Sequence, residues 1–357
     1  MVPCFCSPYT GCNTTCMKGI NMEQVIIYGA GKTGRLAYDF LSQMYEVYCF
    51  IDGKKPEKWG TEICGKKVYG PEILREHQNT PVVIASIYAH EILPEIRKYQ
   101  LKKIYKYECR LTPCVLELET RLKEERTIDL GAFFRRHGDC LTCKALTFVN
   151  GGSGVLDYMF IKQVAELLHC KEYLEIGTYI GESINILTDC CEKLYSITAP
   201  LDSDFSMSAF CKAYGLPDYS GRLAKDPKII SYYADSKAFD FSQLSKEIDL
   251  FFVDGDHSYD GVYSDTKNIF SIKKDDAVVI WHDVKYASGY FNPDVLYAVR
   301  DVLGDRFQNF YITDRNMCGI YLPDKVKDQF PLLVNPNADG APLCTYDVTI
   351  GNYCYTL

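Results

Sequence analysis

No stretch of this sequence approaches the roughly 20 consecutive apolar residues that a membrane-spanning helix needs, so no membrane partner is expected. The first twenty residues have neither the basic start nor the unbroken apolar core of a secretory signal. Basic residues are in deficit: 39 Lys and Arg stand against 47 Asp and Glu, a net charge of −8, which argues against a nucleic-acid surface. Tandem repeats and low-complexity tracts are absent. With 47% hydrophobic and 24% charged residues, what remains is an ordinary globular composition. Its 357 residues suit about two domains of roughly 150 residues each, in a cytoplasmic protein.

Cysteine, by contrast, is plentiful, at 17 residues. Most stand singly within apolar patterns (Cys49, Cys170, Cys190, Cys211, Cys318) and read as small buried hydrophobes in a reducing compartment. Two groups are closer set. Cys4, Cys6, Cys12 and Cys16 fall in a leader, residues 1–21, expected to be loosely ordered or an upstream extension of the reading frame. Cys109, Cys114, Cys140 and Cys143 have an outline that could hold a tetrahedral zinc, although only Cys140-x-x-Cys143 is tightly spaced.

Residues 24–53 read QVIIYGAGKTGRLAYDFLSQMYEVYCFIDG. A buried strand runs into Gly29-x-Gly31-x-x-Gly34 and then a helix, and a second strand ends at Asp52, close to 20 residues on. That is the dinucleotide fingerprint in its strand–turn–helix context, where backbone N–H groups and a helix N-terminus face a phosphate. Strands are also expected at residues 82–85 and 103–107. Together with GKKVYGPEIL, this segment resembles the N-terminal nucleotide-sugar-binding domain of bacterial sugar acetyltransferases over residues 24–107. The resemblance implies that the glycine loop and Asp52 line a UDP-sugar site. An NAD-type pocket, or a turn kept only for folding, competes with it, and no Tyr-x-x-x-Lys dyad follows to favour a reductase. A connector, residues 108–150, is expected to carry one helix over residues 116–136.

The second domain, residues 151–325, opens with EYLEIGTYIGESINIL: a strand, a glycine turn at residues 177–181 and a helix start, with Glu175 inside the strand end. Later, residues 248–284 contain two apolar runs without alternation, which suits parallel strands covered on both faces. The first run ends at Asp254, Asp256 and His257, and the second at His282 and Asp283. A right-handed crossover through a helix at residues 259–272 places both ends on one sheet edge, where open α/β sheets bind ligands. Two of only six histidines thus meet three carboxylates on one rim.

This trio of motifs resembles class I S-adenosylmethionine (SAM) methyltransferases, in the form found in catechol and caffeoyl-CoA O-methyltransferases. Glu175, inside the strand end, can orient the loop and face an amino-acid moiety, and the resemblance implies that Gly177, Tyr179 and Ser183 contact the methionine part of SAM, with Gly181 also a cofactor-binding residue. It also implies that Asp235 and Ser236 lie at the adenine. Where the family has an acid for the ribose, this chain has Thr198-Ala199-Pro200, so Thr198 is the candidate. His257 follows Asp254 by three residues, the spacing of the metal acid and proposed base in macrolide-sugar O-methyltransferases. Asp254, His282 and Asp283 are therefore candidate ligands for Mg²⁺ or another divalent cation. His257, with an ordinary imidazole pKa of about 6.5, is the candidate general base, with Asp254 as its catalytic partner.

The expected fold is α/β: two Rossmann-like doubly wound domains, the second a methyltransferase sheet closed by an antiparallel hairpin. The expected function is SAM-dependent O-methylation of a hydroxyl, on a small molecule or on a sugar in glycan assembly. The alternatives are a dinucleotide- or nucleotide-sugar-binding oxidoreductase using Gly29–Gly34, and a non-catalytic scaffold. Twenty-eight tyrosines suit either an acceptor pocket or a subunit interface, so a homo-oligomer stays open. Residues 326–357 carry no signal.

Overall fold

The computed structural model describes residues 24–86, 88–107, 111–113, 116–137, 142–149, 151–286, 291–334 and residue 345. They form two compact units that divide between Leu111 and Thr112. No helix among the described residues is long and apolar enough to cross a membrane.

In the first unit the elements are β1 (Gln24–Tyr28), α1 (Lys32–Leu41), β2 (Glu46–Ile51), β3 (Glu62–Ile63), β4 (Lys66–Tyr69), β5 (Val82–Ile84), α2 (Ala89–Arg97) and β6 (Ile104–Tyr107), and β7 (Leu111–Pro113) spans the division. The sheet order is β3-β4-β2-β1-β5-β6-β7, parallel from β4 to β6. Two of the three glycines after β1 are explained by the chain itself. A Cβ on Gly29 would meet the Ala85 carbonyl oxygen at 2.3 Å, and one on Gly34 would meet the Gly29 carbonyl oxygen at 1.8 Å. Strand and helix pack so closely there that no side chain fits.

The second unit contains α3 (Leu116–Glu125), β8 (Thr127–Ile128), α4 (Leu130–His137), α5 (Val155–Leu167), β9 (Glu172–Ile176), α6 (Glu182–Asn185), β10 (Lys193–Thr198), α7 (Met207–Tyr214), β11 (Ile229–Tyr233), β12 (Leu250–Val253), α8 (Tyr259–Ile272), β13 (Val278–Trp281), α9 (Pro293–Leu303), β14 (Phe310–Thr313) and β15 (Gly319–Tyr321). Its sheet runs β11-β10-β9-β12-β13-β15-β14-β8, parallel from β11 to β13 and closed by the antiparallel β14–β15 pair. Every side chain of β12 and β13 is buried, as runs without alternation require. Each such large apolar side chain contributes roughly 1.5–3 kcal/mol relative to exposure.

The single helix expected over residues 116–136 is corrected. The chain leaves helix after Glu125, and Thr127 and Ile128 pair with Ile312 and Thr313 on β14. Asp129 then accepts a hydrogen bond from the Ala132 N–H at 2.9 Å and restarts the helix. Of the two cysteine groups, only Cys143 lies among the described residues. Its thiol is free and packs against the apolar core, and burial pushes it up to about 11. Cys4, Cys6, Cys12, Cys16, Cys109, Cys114 and Cys140 lie outside the described residues.

Candidate active site

Three parallel strands deliver the site. β9 ends in Gly177, whose φ of +98° belongs to the left-handed region. A Cβ there would lie 2.1 Å from the Asp254 carbonyl oxygen at the end of β12, so the two strand ends touch through backbone. Gly181, at φ +96°, is crowded in the same way by the Ala224 amide nitrogen at 2.7 Å. Glu175 is wholly buried beneath the turn. Tyr173 Oη donates to one of its oxygens at 3.0 Å and Thr178 Oγ1 to the other at 2.7 Å. Burial pushes the Glu175 carboxyl up to about 7, against the pull of hydrogen bonds from Ser183, Thr178 and Tyr173. Its place is therefore under the turn, holding it, and not on an open wall.

Beside this turn lies a cluster of acids and imidazoles. His257 Nε2 is 3.1 Å from Asp254 Oδ1, and its Nδ1 is 2.8 Å from Asp283 Oδ2, so one ring bridges two carboxylates. His282 Nδ1 is 3.2 Å from the same Asp254 oxygen and 3.5 Å from Asp283 Oδ1. Asp283 sits at φ +52°, a conformation that side chains rarely adopt and that turns its carboxylate into the cluster. Among the described residues, Asp254, His257 and Asp283 form the one group whose ligand atoms all lie within 4.8 Å of one another. The expected set named His282 in place of His257. His282 is only 5% exposed, with its side chain reaching back towards Asp157 Oδ2 at 3.5 Å, whereas His257 is 40% exposed.

The electrostatics correct the expectation of an ordinary imidazole. Burial pulls His257 down, but the carboxylates of Asp254 and Asp283 outweigh it and hold the ring at about 10. His282 is held well above its usual value by Asp254, Asp157 and Asp283, again against burial. Conversely, the two imidazoles hold Asp254 and Asp283 below the usual carboxylate range although burial opposes it. With its pKa held at about 10, His257 keeps its proton near neutral pH and has no lone pair to offer. The donor set of two carboxylate oxygens and an imidazole nitrogen fits a divalent cation, which must compete with that proton.

Sequence reasoning missed Asp157, in the first turn of α5. Its Oδ2 accepts the Gly154 N–H at 2.8 Å and its Oδ1 the Met317 N–H at 3.1 Å, so it ties three segments together under His282. Only its place three residues after a Gly-Ser-Gly loop could have marked it as a helix-start acid. Ser153 of that loop points Oγ to Asp254 Oδ2 at 3.4 Å.

A family model described as "Methyltransferase domain" matches residues 174–284, which span the turn and the whole cluster. A second, described as "C2185-like, N-terminal", matches residues 21–105. The second unit contains a methyltransferase domain. The first is a Rossmann-like domain fused ahead of it. No curated protein sequence matches the chain. Similar solved structures include the UDP-D-quinovosamine 4-dehydrogenase of Vibrio fischeri, at 21% identity over 27% of this chain and 96% of that one, with a TM-score of 0.24. An O-methyltransferase from Bacillus cereus, solved with S-adenosylhomocysteine (SAH), is similar at 13% identity over 48% and 81%, TM-score 0.34. CalS11, a TDP-rhamnose 3′-O-methyltransferase of calicheamicin biosynthesis, is similar at 12% over 46% and 78%, TM-score 0.34.

The remaining sequence-predicted residues of the methyltransferase domain are placed as follows. Tyr179 is half-buried, with its hydroxyl 3.5 Å from Cys211 Sγ, and Ser183 is half-buried on α6. Thr198 Oγ1 donates to the Thr178 carbonyl at 3.0 Å, which leaves its oxygen free to accept. Asp235 is exposed and accepts the Lys237 N–H at 3.0 Å, with half-buried Ser236 between them. Behind Ser236 lies a residue the sequence did not mark. Asp265 of α8 is wholly buried, and neither of its oxygens meets a donor at bonding geometry among the described residues. Burial raises it to about 6 despite the pull of Ser236.

In the Rossmann-like unit, Tyr28, Gly29, Gly31, Asp52, Lys54 and Lys58 are among the walls of a cavity of about 340 Å³. A Cβ on Gly31 would meet nothing within 4 Å, so the space over this glycine is open for a ligand. Asp52 is already engaged: it accepts the N–H groups of Lys54 and Lys55, each at 3.1 Å, and Lys58 Nζ at 3.1 Å. Lys58 also donates to the Ala30 carbonyl at 3.0 Å, clasping the glycine loop to the acid. The Tyr28 hydroxyl is buried with no hydrogen-bond partner among the described residues.

Proposed function

We propose that this chain is a SAM-dependent O-methyltransferase that modifies a hydroxyl of a sugar or glycan precursor. One observation supports the reading: Gly177 of the glycine turn packs on the Asp254 backbone, so the acid–imidazole cluster borders the turn that would hold the sulfonium donor. Gly177, Tyr179, Gly181 and Ser183 would hold the methionine part, Thr198 the ribose, and Asp235 with Ser236 the adenine, while Glu175 keeps the turn in shape from beneath. Methyl transfer is an in-line displacement, so the cleft must hold acceptor oxygen and methyl carbon in line and ease removal of the acceptor proton. Asp254 and Asp283 would hold a divalent cation, whose chemistry when bound is to stabilise a developing alkoxide. With those carboxylates so engaged, His257 loses the partners that keep its proton and moves back towards the range of a general base. His282, anchored by Asp157, positions Asp254 and Asp283.

The Rossmann-like unit, residues 22–107 in this reading, would recognise the nucleotide-linked part of such a substrate. Support comes from the lysine-rimmed cavity and the unobstructed Gly31. The free thiols of Cys49, Cys170, Cys190, Cys191, Cys211 and Cys318 suit a cytoplasmic setting. The test is methyl transfer from labelled SAM to a panel of nucleotide sugars, with and without EDTA. Asp254→Asn and His257→Ala should each lose most turnover while still binding SAH. Full turnover by both variants would remove the proposed roles. Stabilisation of the protein by NAD(H) and not by SAM would favour the oxidoreductase reading.

A further inference from the structure

Beneath the loops that follow β11 and β12 lies an acid that stands outside the cluster. Asp265 of α8 has no exposed surface, and neither of its oxygens meets a donor at bonding geometry among the described residues. A buried polar group left unpaired is costly and rare in folded chains, so this one wants a partner. A Cβ on Gly255 would lie 3.6 Å from Asp265 Oδ2 and 3.4 Å from Ile176 Cγ2, so the carboxyl comes up under the ends of β9 and β12. The loop after β11 is close as well: Ser236 pulls on the carboxyl, and Asp235, Asp256 and Lys237 act on it through space.

These neighbours narrow the choice of partner. Lys237 is already paired, because its Nζ reaches Asp256 Oδ2 at 2.8 Å and so joins the loop after β11 to the loop after β12. A metal ion does not fit either, since among the described residues the one group of donors tight enough for a cation is Asp254, His257 and Asp283. Ser236 remains. Its neighbours are anchored, Lys237 by that ion pair and Asp235 by accepting the Lys237 N–H at 3.0 Å. Its half-buried hydroxyl can still turn about χ1 and change partner.

We propose that Asp265 is a positioning residue of the donor site: with adenine in place it accepts a hydrogen bond from the Ser236 hydroxyl, which leaves the Ser236 oxygen only lone pairs to present to the exocyclic amine of the ring. The inference rests on the reading of Asp235 and Ser236 as the adenine wall. Adenine carries an amine at C6, a donor, where hypoxanthine carries a carbonyl, an acceptor. A serine whose hydrogen is held from behind accepts from the first and rejects the second, because two acceptors then face each other with no hydrogen between them. Without Asp265 the hydroxyl turns to suit either ring. Asp265 touches no ligand atom, and its effect is on specificity.

Calorimetric titration of the full chain with SAH and with its 6-oxo analogue, S-inosylhomocysteine, tests it. The wild type should favour SAH by tenfold or more. Asp265→Leu, close in shape but without an acceptor, should lower that preference about tenfold, chiefly by weakening SAH. Asp265→Asn keeps an oxygen that accepts from Ser236 and should keep the preference. Ser236→Ala, at a half-buried loop position, should lose it to the same extent and reads out the same contact if Asp265→Leu does not fold. The double variant should lose no more than either single one, because both act through one contact. Equal weakening of both ligands by Asp265→Leu, additive losses in the double variant, or a wild type that binds both ligands alike would each overturn the inference and leave the methyltransferase reading standing. A wild type that binds neither ligand would overturn both.

Discussion

His257 gathers the consequences that belong to single residues. Its folded pKa of about 10 lies above the ordinary 6.5, so the folded protein binds this proton more tightly than the unfolded chain. The stabilisation is complete below about 6.5 and is lost as pH rises towards 10. In EDTA, thermal stability should therefore fall between those limits, and His257→Gln should flatten the slope. Asp283→Asn removes one of the two bridging carboxylates, so a histidine NMR titration should find His257 shifted downwards. Glycines separate the same way. Gly34→Ala drives a methyl into the Gly29 carbonyl and should cost several kcal/mol, whereas Gly31→Ala meets open space and should leave the melting temperature nearly unchanged.

Among the elements, the segment between α3 and α4 shows where local pattern loses to tertiary pairing. Residues 116–136 keep a helical rhythm throughout, yet Thr127 and Ile128 add a short strand to β14, and Arg126 Nη1 donates to the Phe307 carbonyl. Two ladder pairings at the sheet edge outweigh one more helical turn. Asp129→Ala removes the side-chain acceptor that restarts the helix and should cost about 1 kcal/mol by denaturant unfolding. The helix expected at residues 259–272 matches α8, because strands buried on both faces define its ends. Ser258 caps it by accepting the Gly261 N–H at 3.2 Å.

At the scale of the molecule, each unit has its own glycine turn and its own apolar core. Amide hydrogen exchange separates their ligands: SAH should slow exchange at residues 174–183 and leave residues 24–34 unchanged, and a UDP-sugar should do the reverse. SAH at a hundred times its Kd should add about 2.7 kcal/mol to the unit that binds it. Slowing at residues 24–34 by SAH would reassign the donor site.

Motif order, strand ends and the parallel core could be read from the residues alone, because runs of Val, Ile and Phe without alternation report burial on both faces. So could the meeting of Asp254, His257, His282 and Asp283 on one rim, since a right-handed crossover allows no other arrangement. The protonation of that rim could not. It depends on distances of about 3 Å between groups on different strands, and on Asp157, nearly 100 residues from Asp254 in the chain. Nor could the engagement of Asp52 or the burial of Asp265 be read ahead. Which atoms a carboxylate meets, and which acid is enclosed, are settled only when the rest of the chain has packed.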